Sequence, residues 1–143
     1  LQRGGSAYGQ KKYEDFFGRK RTGWRSQSCV SAREEKPYRA IVQLVHGMCE
    51  HKERYIPFME YLAEQGFVTV IHDHRGHGRS VRSKDDLGYM YGSGAEGMLK
   101  DIAKVNHDIR KYFPDLPLIL MGHSMGSLAV RAFASEHDDC WIC

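Results

Sequence analysis

Three short runs along the chain are almost wholly apolar: AIVQLV at 40–45, FVTVI at 67–71 and PLILM at 117–121. Each is bounded by polar or turn-forming residues, and none alternates apolar with polar. That pattern predicts strands buried on both faces, the situation of a parallel sheet. The intervening segments change period. In KERYIPFMEYLAEQG, residues 52–66, the residues Tyr55, Phe58, Met59 and Leu62 fall on one helical face, with Gly66 placed as the C′ residue. Met98, Ile102, Val105, Ile109 and Tyr112 recur every three or four positions, and Pro114 ends that helix. Leu128, Ala129, Ala132 and Phe133 open another.

The alternation of strand and helix predicts an α/β fold with right-handed crossovers around a mostly parallel sheet, helices on both faces. Two earlier strands, YEDFFG at 13–18 and the stretch around WRSQSCV at 24–30, predict a short antiparallel hairpin in front. Residues 1–39 are thus read as a basic leader with a hairpin, and residues 40–143 as the main domain. Residues 78–97, with glycine at 78, 88, 92, 94 and 97, read as a long loop.

Composition adds limits. The 143 residues are 41% hydrophobic and 27% charged, which suits a folded domain of ordinary size. No apolar run approaches the roughly 20 residues that span a bilayer, and LQRGGSAYGQKKYEDFF has no apolar signal core. A cytoplasmic location, at most peripheral to a membrane, follows as the expectation. The net charge of +3 is uneven. Residues 1–39 hold ten Lys and Arg against four Asp and Glu, and residues 40–143 hold eleven against fourteen. A basic leader can rest weakly on an anionic membrane surface, although solvation explains it equally. No RNA-binding or helix-turn-helix signature accompanies it, so no nucleic-acid partner is expected. Cys29, Cys49, Cys140 and Cys143 are read as reduced thiols. The CWIC pair at 140–143 has redox spacing without the following helix that would acidify a thiol.

The chemistry concentrates in LILMGHSMGS, residues 118–127. A serine hydroxyl becomes a useful nucleophile when a sharp strand-to-helix turn presents it and a base takes its proton. The residues two positions away must be small, which Gly122 and Gly126 are, and His123 lies between. The new helix at Met125 aims free N–H groups at a developing oxyanion. The second donor should come from the loop after a neighbouring strand, and AIVQLV runs into His46-Gly47-Met48. His46 is read as packing and holding that loop rather than as a catalyst.

With HDHRGHGRS added, the segments LVHGMCEHKERY (44–55), GFVTVIHDHRGHGRS (66–80) and LILMGHSMGS occur in the order found in one superfamily. The chain resembles the α/β-hydrolases, and within them the monoacylglycerol lipase and lysophospholipase group, over roughly residues 38–135. The resemblance implies Ser124 as nucleophile and the backbone amides of Met48 and Met125 as oxyanion donors. It implies hydrolysis of a lipid carboxylic ester through an acyl-enzyme, with no metal or other cofactor.

Two rival readings stand beside it. His72, His74 and His77 have H-x-H-x-x-H spacing, which resembles a zinc-hydrolase motif, but Gly76 stands where such sites carry aspartate. The other rival is a non-catalytic hydrolase-like binding module. Peptidase, thioesterase and general esterase activities also remain within the enzyme reading. The superfamily's chain order of serine, acid and histidine leaves nineteen residues after Ser124 to supply the last two. At ~1.5 Å per helical residue, His137 should lie roughly 20 Å away, whereas a base works within about 3 Å. The expectation is an incomplete α/β-hydrolase fold, an N-terminal part without lid, acid or base, its strand 117–121 left as an open edge and HDDCWIC lacking a following strand.

Overall fold

A computed structural model describes residues 10–14, 28–33, 37–92, 94–137 and 141–142. Six strands form one sheet: β1 (Gln10–Glu14), β2 (Ser28–Arg33), β3 (Ile41–Val45), β4 (Val68–His72), β5 (Leu118–Gly122) and β6 (Trp141–Ile142), in the spatial order β1-β2-β4-β3-β5-β6. β3 lies at the centre, parallel to both neighbours, with Ile41 opposite Val68 on one side and Leu118 on the other. β1 and β2 are antiparallel, and β2 adds antiparallel to β4 through Val30 opposite Val70. This is the mostly parallel α/β sheet with a leading hairpin that the strand pattern predicts.

The three long helices are α1 (Ile56–Glu64), α2 (Gly94–Tyr112) and α3 (Met125–Ala134). Successive residues of a strand point to opposite faces, and both faces here are apolar. Ile41, Val45, Val68, Val70, Leu118 and Leu120 pack against Ile102, Val105 and Ile109 of α2 and Ala129, Val130 and Phe133 of α3. Val42, Leu44, Ile71 and Cys29 face the other way, onto Met59 of α1. Each fully buried aliphatic side chain contributes about 1.5–3 kcal/mol. Gln43 is the polar exception in β3, and its Nε2 donates to the Ile102 carbonyl at 3.0 Å.

Gly66 ends α1 with φ +89°. Its N–H donates to Ala63 O at 2.9 Å and that of Phe67 to Leu62 O at 3.1 Å, the paired bonds of a Schellman cap.

Several expectations are corrected. Phe58, Tyr112 and Leu128 are exposed, because the sheet takes the stripes defined by Met59 and Ala63, by Ile102 and Ile109, and by Ala129, Val130 and Phe133 instead. The loop expected over 78–97 ends early, since α2 begins at Gly94. The leading strands lie at 10–14 and 28–33, overlapping the expected stretches only at Tyr13–Glu14 and 28–30; residues 15–27 lie outside the described residues. Finally, β5 is not an open edge. β6 pairs with it in parallel, Trp141 opposite Ile119 and Ile142 opposite Leu120, so part of its backbone is satisfied. Cys140 and Cys143 of the CWIC motif lie outside the described residues.

Candidate active site

β5 delivers the chain to Gly122, and the register with β3 closes at Val45 opposite Gly122. One more bond, from His123 N to Val45 O at 3.0 Å, ties the next residue to the sheet. Ser124 then adopts φ +53°, ψ −121°, a backbone conformation that an L-residue rarely holds, and its side chain is exposed. Such a residue costs on the order of 1–3 kcal/mol unless its surroundings hold it there. They do. Gly126 N donates to His123 O at 2.8 Å and Ser127 N to Ser124 O at 2.9 Å, so the first turn of α3 locks the bend.

The two flanking glycines are sites of backbone contact. A Cβ on Gly122 would stand 2.5 Å from Gly126 O, and one on Gly126 would stand 2.0 Å from Val45 O. Helix and strand therefore cross backbone to backbone beneath the serine. At a helix N-terminus the first N–H groups have no intrahelical acceptor. Those of Gly126 and Ser127 are used within the turn. Met125, the first helical residue, carries its N–H at the mouth of the helix beside Ser124.

The loop after β3 comes directly against this turn. A Cβ on Gly47 would lie 3.0 Å from Ser124 Cβ and 3.2 Å from His123 O. Met48 follows, its side chain largely in solvent. His46 anchors the loop from below. It is fully buried, its Nε2 accepts from His74 N at 3.0 Å, and its other ring nitrogen, Nδ1, therefore bears the proton and donates to Gly47 O at 2.8 Å. His74 returns the contact, donating from Nε2 to His46 O at 2.9 Å.

The HDHRGHG stretch (72–78) supports this layer. Asp73 is buried and accepts from Lys52 N at 2.7 Å and Arg79 N at 3.0 Å. Arg75 grips Asp101 of α2 through two bonds, at 2.6 and 3.0 Å, and covers Gly97, where a Cβ would meet its guanidinium at 2.6 Å. That contact is why a glycine sits inside α2. The His72, His74 and His77 rings are neighbours, with the His72–His74 and His74–His77 centroids 5.2 and 6.1 Å apart, but in two of the three a ring nitrogen is engaged elsewhere. His77 Nδ1 faces its own loop at Arg75 O, 2.9 Å away, and His74 Nε2 is spent on His46 O. Among the described residues, no group of three or more His, Cys, Asp or Glu is arranged to hold a metal ion.

The profile of the family described as serine aminopeptidase, S33, matches residues 36–143. This chain belongs to the S33 family. Among relatives of the S33 chain, a monoglyceride lipase homolog of Monkeypox virus is 35% identical over 92 residues, covering 62% of this chain and 30% of the relative. The monoglyceride lipase of Mus musculus is 32% identical over 98 residues, 68% of this chain and 31% of the relative. The chain thus spans about a third of the length of these curated relatives. A thermostable carboxyl esterase from Bacillus coagulans, solved with glycerol, superposes with a TM-score of 0.76 at 30% identity, covering 97% of this chain and 44% of the esterase. The α/β-hydrolase superfamily and its monoacylglycerol lipase group are therefore the right placement.

Within the S33 chain, one residue that the motif reading passed over stands at the centre of the site. Glu50 Oε2 accepts from Gly47 N at 2.8 Å, from the Tyr55 hydroxyl at 2.8 Å and from His123 Nδ1 at 3.0 Å. Desolvation alone would raise this carboxyl, but the bonds from Tyr55, His123 and Gly47 outweigh it and hold it down at about 2. His137 is elsewhere. At the far end of α3 it stacks on Phe133, 3.9 Å between centroids, and its Nδ1 donates to Phe133 O. Asp138 and Asp139 lie outside the described residues. No helix among the described residues is long and apolar enough to cross a membrane.

Proposed function

We propose that this chain carries the nucleophile half of a serine hydrolase acting on lipid carboxylic esters, a monoacylglycerol or a lysophospholipid. Ser124 Oγ attacks the ester carbonyl carbon and loses its proton to a base. The carbonyl oxygen becomes an oxyanion held by the N–H groups of Met48 and Met125. Collapse expels the alcohol and leaves an acyl-enzyme, which water then hydrolyses to the fatty acid. Gly122 and Gly126 permit the turn, and His46, Gly47 and His123 hold the two facing segments.

The observation that carries this reading is Ser124 at φ +53°, exposed, with Gly47 of the facing loop against it. The monoglyceride lipase relatives support the substrate class. The acid and the base, in this reading, come from the part of the hydrolase fold that this chain leaves uncovered in its relatives, about two thirds of their length, in keeping with His137 bound to Phe133. The basic leader would help the enzyme rest on anionic lipid, where such substrates are found. No cofactor takes part.

A fluorophosphonate probe should label the full-length enzyme that contains this segment, and Ser124→Ala should abolish the labelling. The 143-residue chain alone should hydrolyse p-nitrophenyl butyrate poorly. Rapid turnover by that chain, lost in Ser124→Ala, would show that the base lies within it. Absence of labelling in the full-length protein would favour the binding module.

A further inference from the structure

We propose that Glu50 is the positioning residue that locks the oxyanion loop to the nucleophile turn, so that its carboxylate sets the distance between the Met48 and Met125 amides. The inference rests on the reading of Ser124 as nucleophile.

The register between β3 and β5 stops at Val45 and Gly122, and the last backbone bond between the two segments runs from His123 N to Val45 O. Beyond that point the chains diverge into the two halves of the site with no further ladder. Glu50 takes over there. A single oxygen, Oε2, receives one donor from the loop after β3, the Gly47 N–H. It receives a second from the turn after β5, the His123 ring, and a third from the Tyr55 hydroxyl at the foot of α1. Among the described residues it is the side chain that hydrogen-bonds both segments. Its other oxygen faces Arg54 at 3.6 Å.

This is unlike a surface ion pair, which contributes little. The Glu50 side chain is only 12% exposed, and the space around it has no slack. A Cβ on Gly47 would stand 2.9 Å from Oε2 and 3.0 Å from Ser124 Cβ, so the loop is held between the carboxylate and the nucleophile. Three donors converging on one oxygen require an acceptor-only group there. A carboxylate meets that need at any pH above its low titration point, so the clamp stays charged through the working range. Gly47 O in turn accepts from His46 Nδ1 at 2.8 Å, and that carbonyl shares its peptide plane with the Met48 N–H, so a Gly47 held at both its N–H and its carbonyl fixes that plane.

The test uses the full-length enzyme containing this chain, with p-nitrophenyl butyrate as substrate. Glu50→Ala should lower kcat by about tenfold or more with KM changed less than about twofold, because a misplaced oxyanion donor weakens only the transition state. Amide hydrogen exchange at Gly47 should accelerate in the same variant. Glu50→Gln, which keeps an accepting oxygen but no charge, should restore most of the rate and slow the exchange again. Should Glu50→Ala fail to fold, Glu50→Asp, which draws the carboxylate back by one methylene, decides alone: a lower kcat with faster Gly47 exchange supports the clamp, and wild-type kcat or wild-type exchange overturns it. Where Glu50→Ala folds, wild-type kcat, or a lower kcat with unaltered Gly47 exchange, overturns it. Ser124→Ala separates the two readings. If that variant stays active, the nucleophile assignment fails; if it is inactive while Glu50→Ala is fully active, only the clamp fails.

Discussion

Replacing Gly126 with alanine is expected to destabilise the chain by more than about 4 kcal/mol, a large share of the ~5–15 kcal/mol that holds a domain folded. The added methyl group would sit 2.0 Å from Val45 O and 2.6 Å from His46 O. Neither oxygen has anywhere to go. Val45 ends the central strand, and its carbonyl already accepts from His123 N. Relief requires α3 to lift away from β3, which opens the packing of Ala129, Val130 and Phe133 against Ile41 and Leu118. Gly94 supplies the control. It has φ +54° with nothing within 4 Å of an added Cβ, so Gly94→Ala should cost only about 1 kcal/mol of backbone strain. Urea denaturation of both variants checks the pair. A midpoint for Gly126→Ala close to that of Gly94→Ala would contradict the backbone contact beneath Ser124.

That contact is legible in the sequence because it depends on residue size at fixed local spacing. A strand, a glycine, one residue, a serine, one residue and a second glycine leave few ways to turn, so the bend at Ser124 can be reasoned out without any distant partner. The central strands are legible for a similar reason. β3, β4 and β5 are covered on both faces, and such strands must be apolar at nearly every position. Gly66 is legible too, since a glycine closing an apolar helical stripe has one common use.

The failures share a physical cause: each depends on a neighbour far away in the chain. The side of α3 that meets the sheet decides whether Leu128 or Val130 is covered, and periodicity admits both. Gly94 and Gly97 look like loop residues by propensity, but Gly97 makes room for the Arg75–Asp101 pair. Glu50 is the most telling case. In HGMCEHKER it is one charged residue among several, and its partner His123 is 73 positions away. Size and spacing disclose the nucleophile turn; the electrostatics that hold its facing loop appear only when the chain is folded.

Acid should destabilise this chain well before its carboxylates titrate. Three buried histidines, His46, His72 and His74, lie in one stack, with His46 and His74 rings 4.1 Å apart and His72 and His74 rings 5.2 Å apart. Burial is the main cause that lowers all three. It takes His72 to about 3, helped by the neighbouring His46, and His74 to about 2, helped by His72 and His46. His46 is lowered as well, with the Gly47 carbonyl and Asp73 opposing. His72 is the extreme case, fully buried with no partner for either ring nitrogen among the described residues. A group whose folded pKa lies below its unfolded value near 6.5 stays neutral in the fold and takes up a proton on unfolding. The stability it gives is complete above about pH 6.5 and falls as the pH drops below that, at about 1.4 kcal/mol per pH unit for each such histidine. His72 and His74 together give a slope of about 3 kcal/mol per unit, and His46 adds to it in the same direction. A domain with ~5–15 kcal/mol in hand would lose much of it by roughly pH 5. Glu50 and Glu53, both held at about 2, also favour the fold, but what they contribute is lost only below about pH 4.5. The window from 6.5 to 5 therefore belongs to the histidines. Urea midpoints measured across it should fall steeply, and His72→Phe, which removes one titrating ring while keeping an apolar aromatic in its place, should flatten the dependence by about 1.4 kcal/mol per pH unit. A midpoint that stays level from pH 7 to pH 5 would mean that these rings can take up protons without leaving the fold.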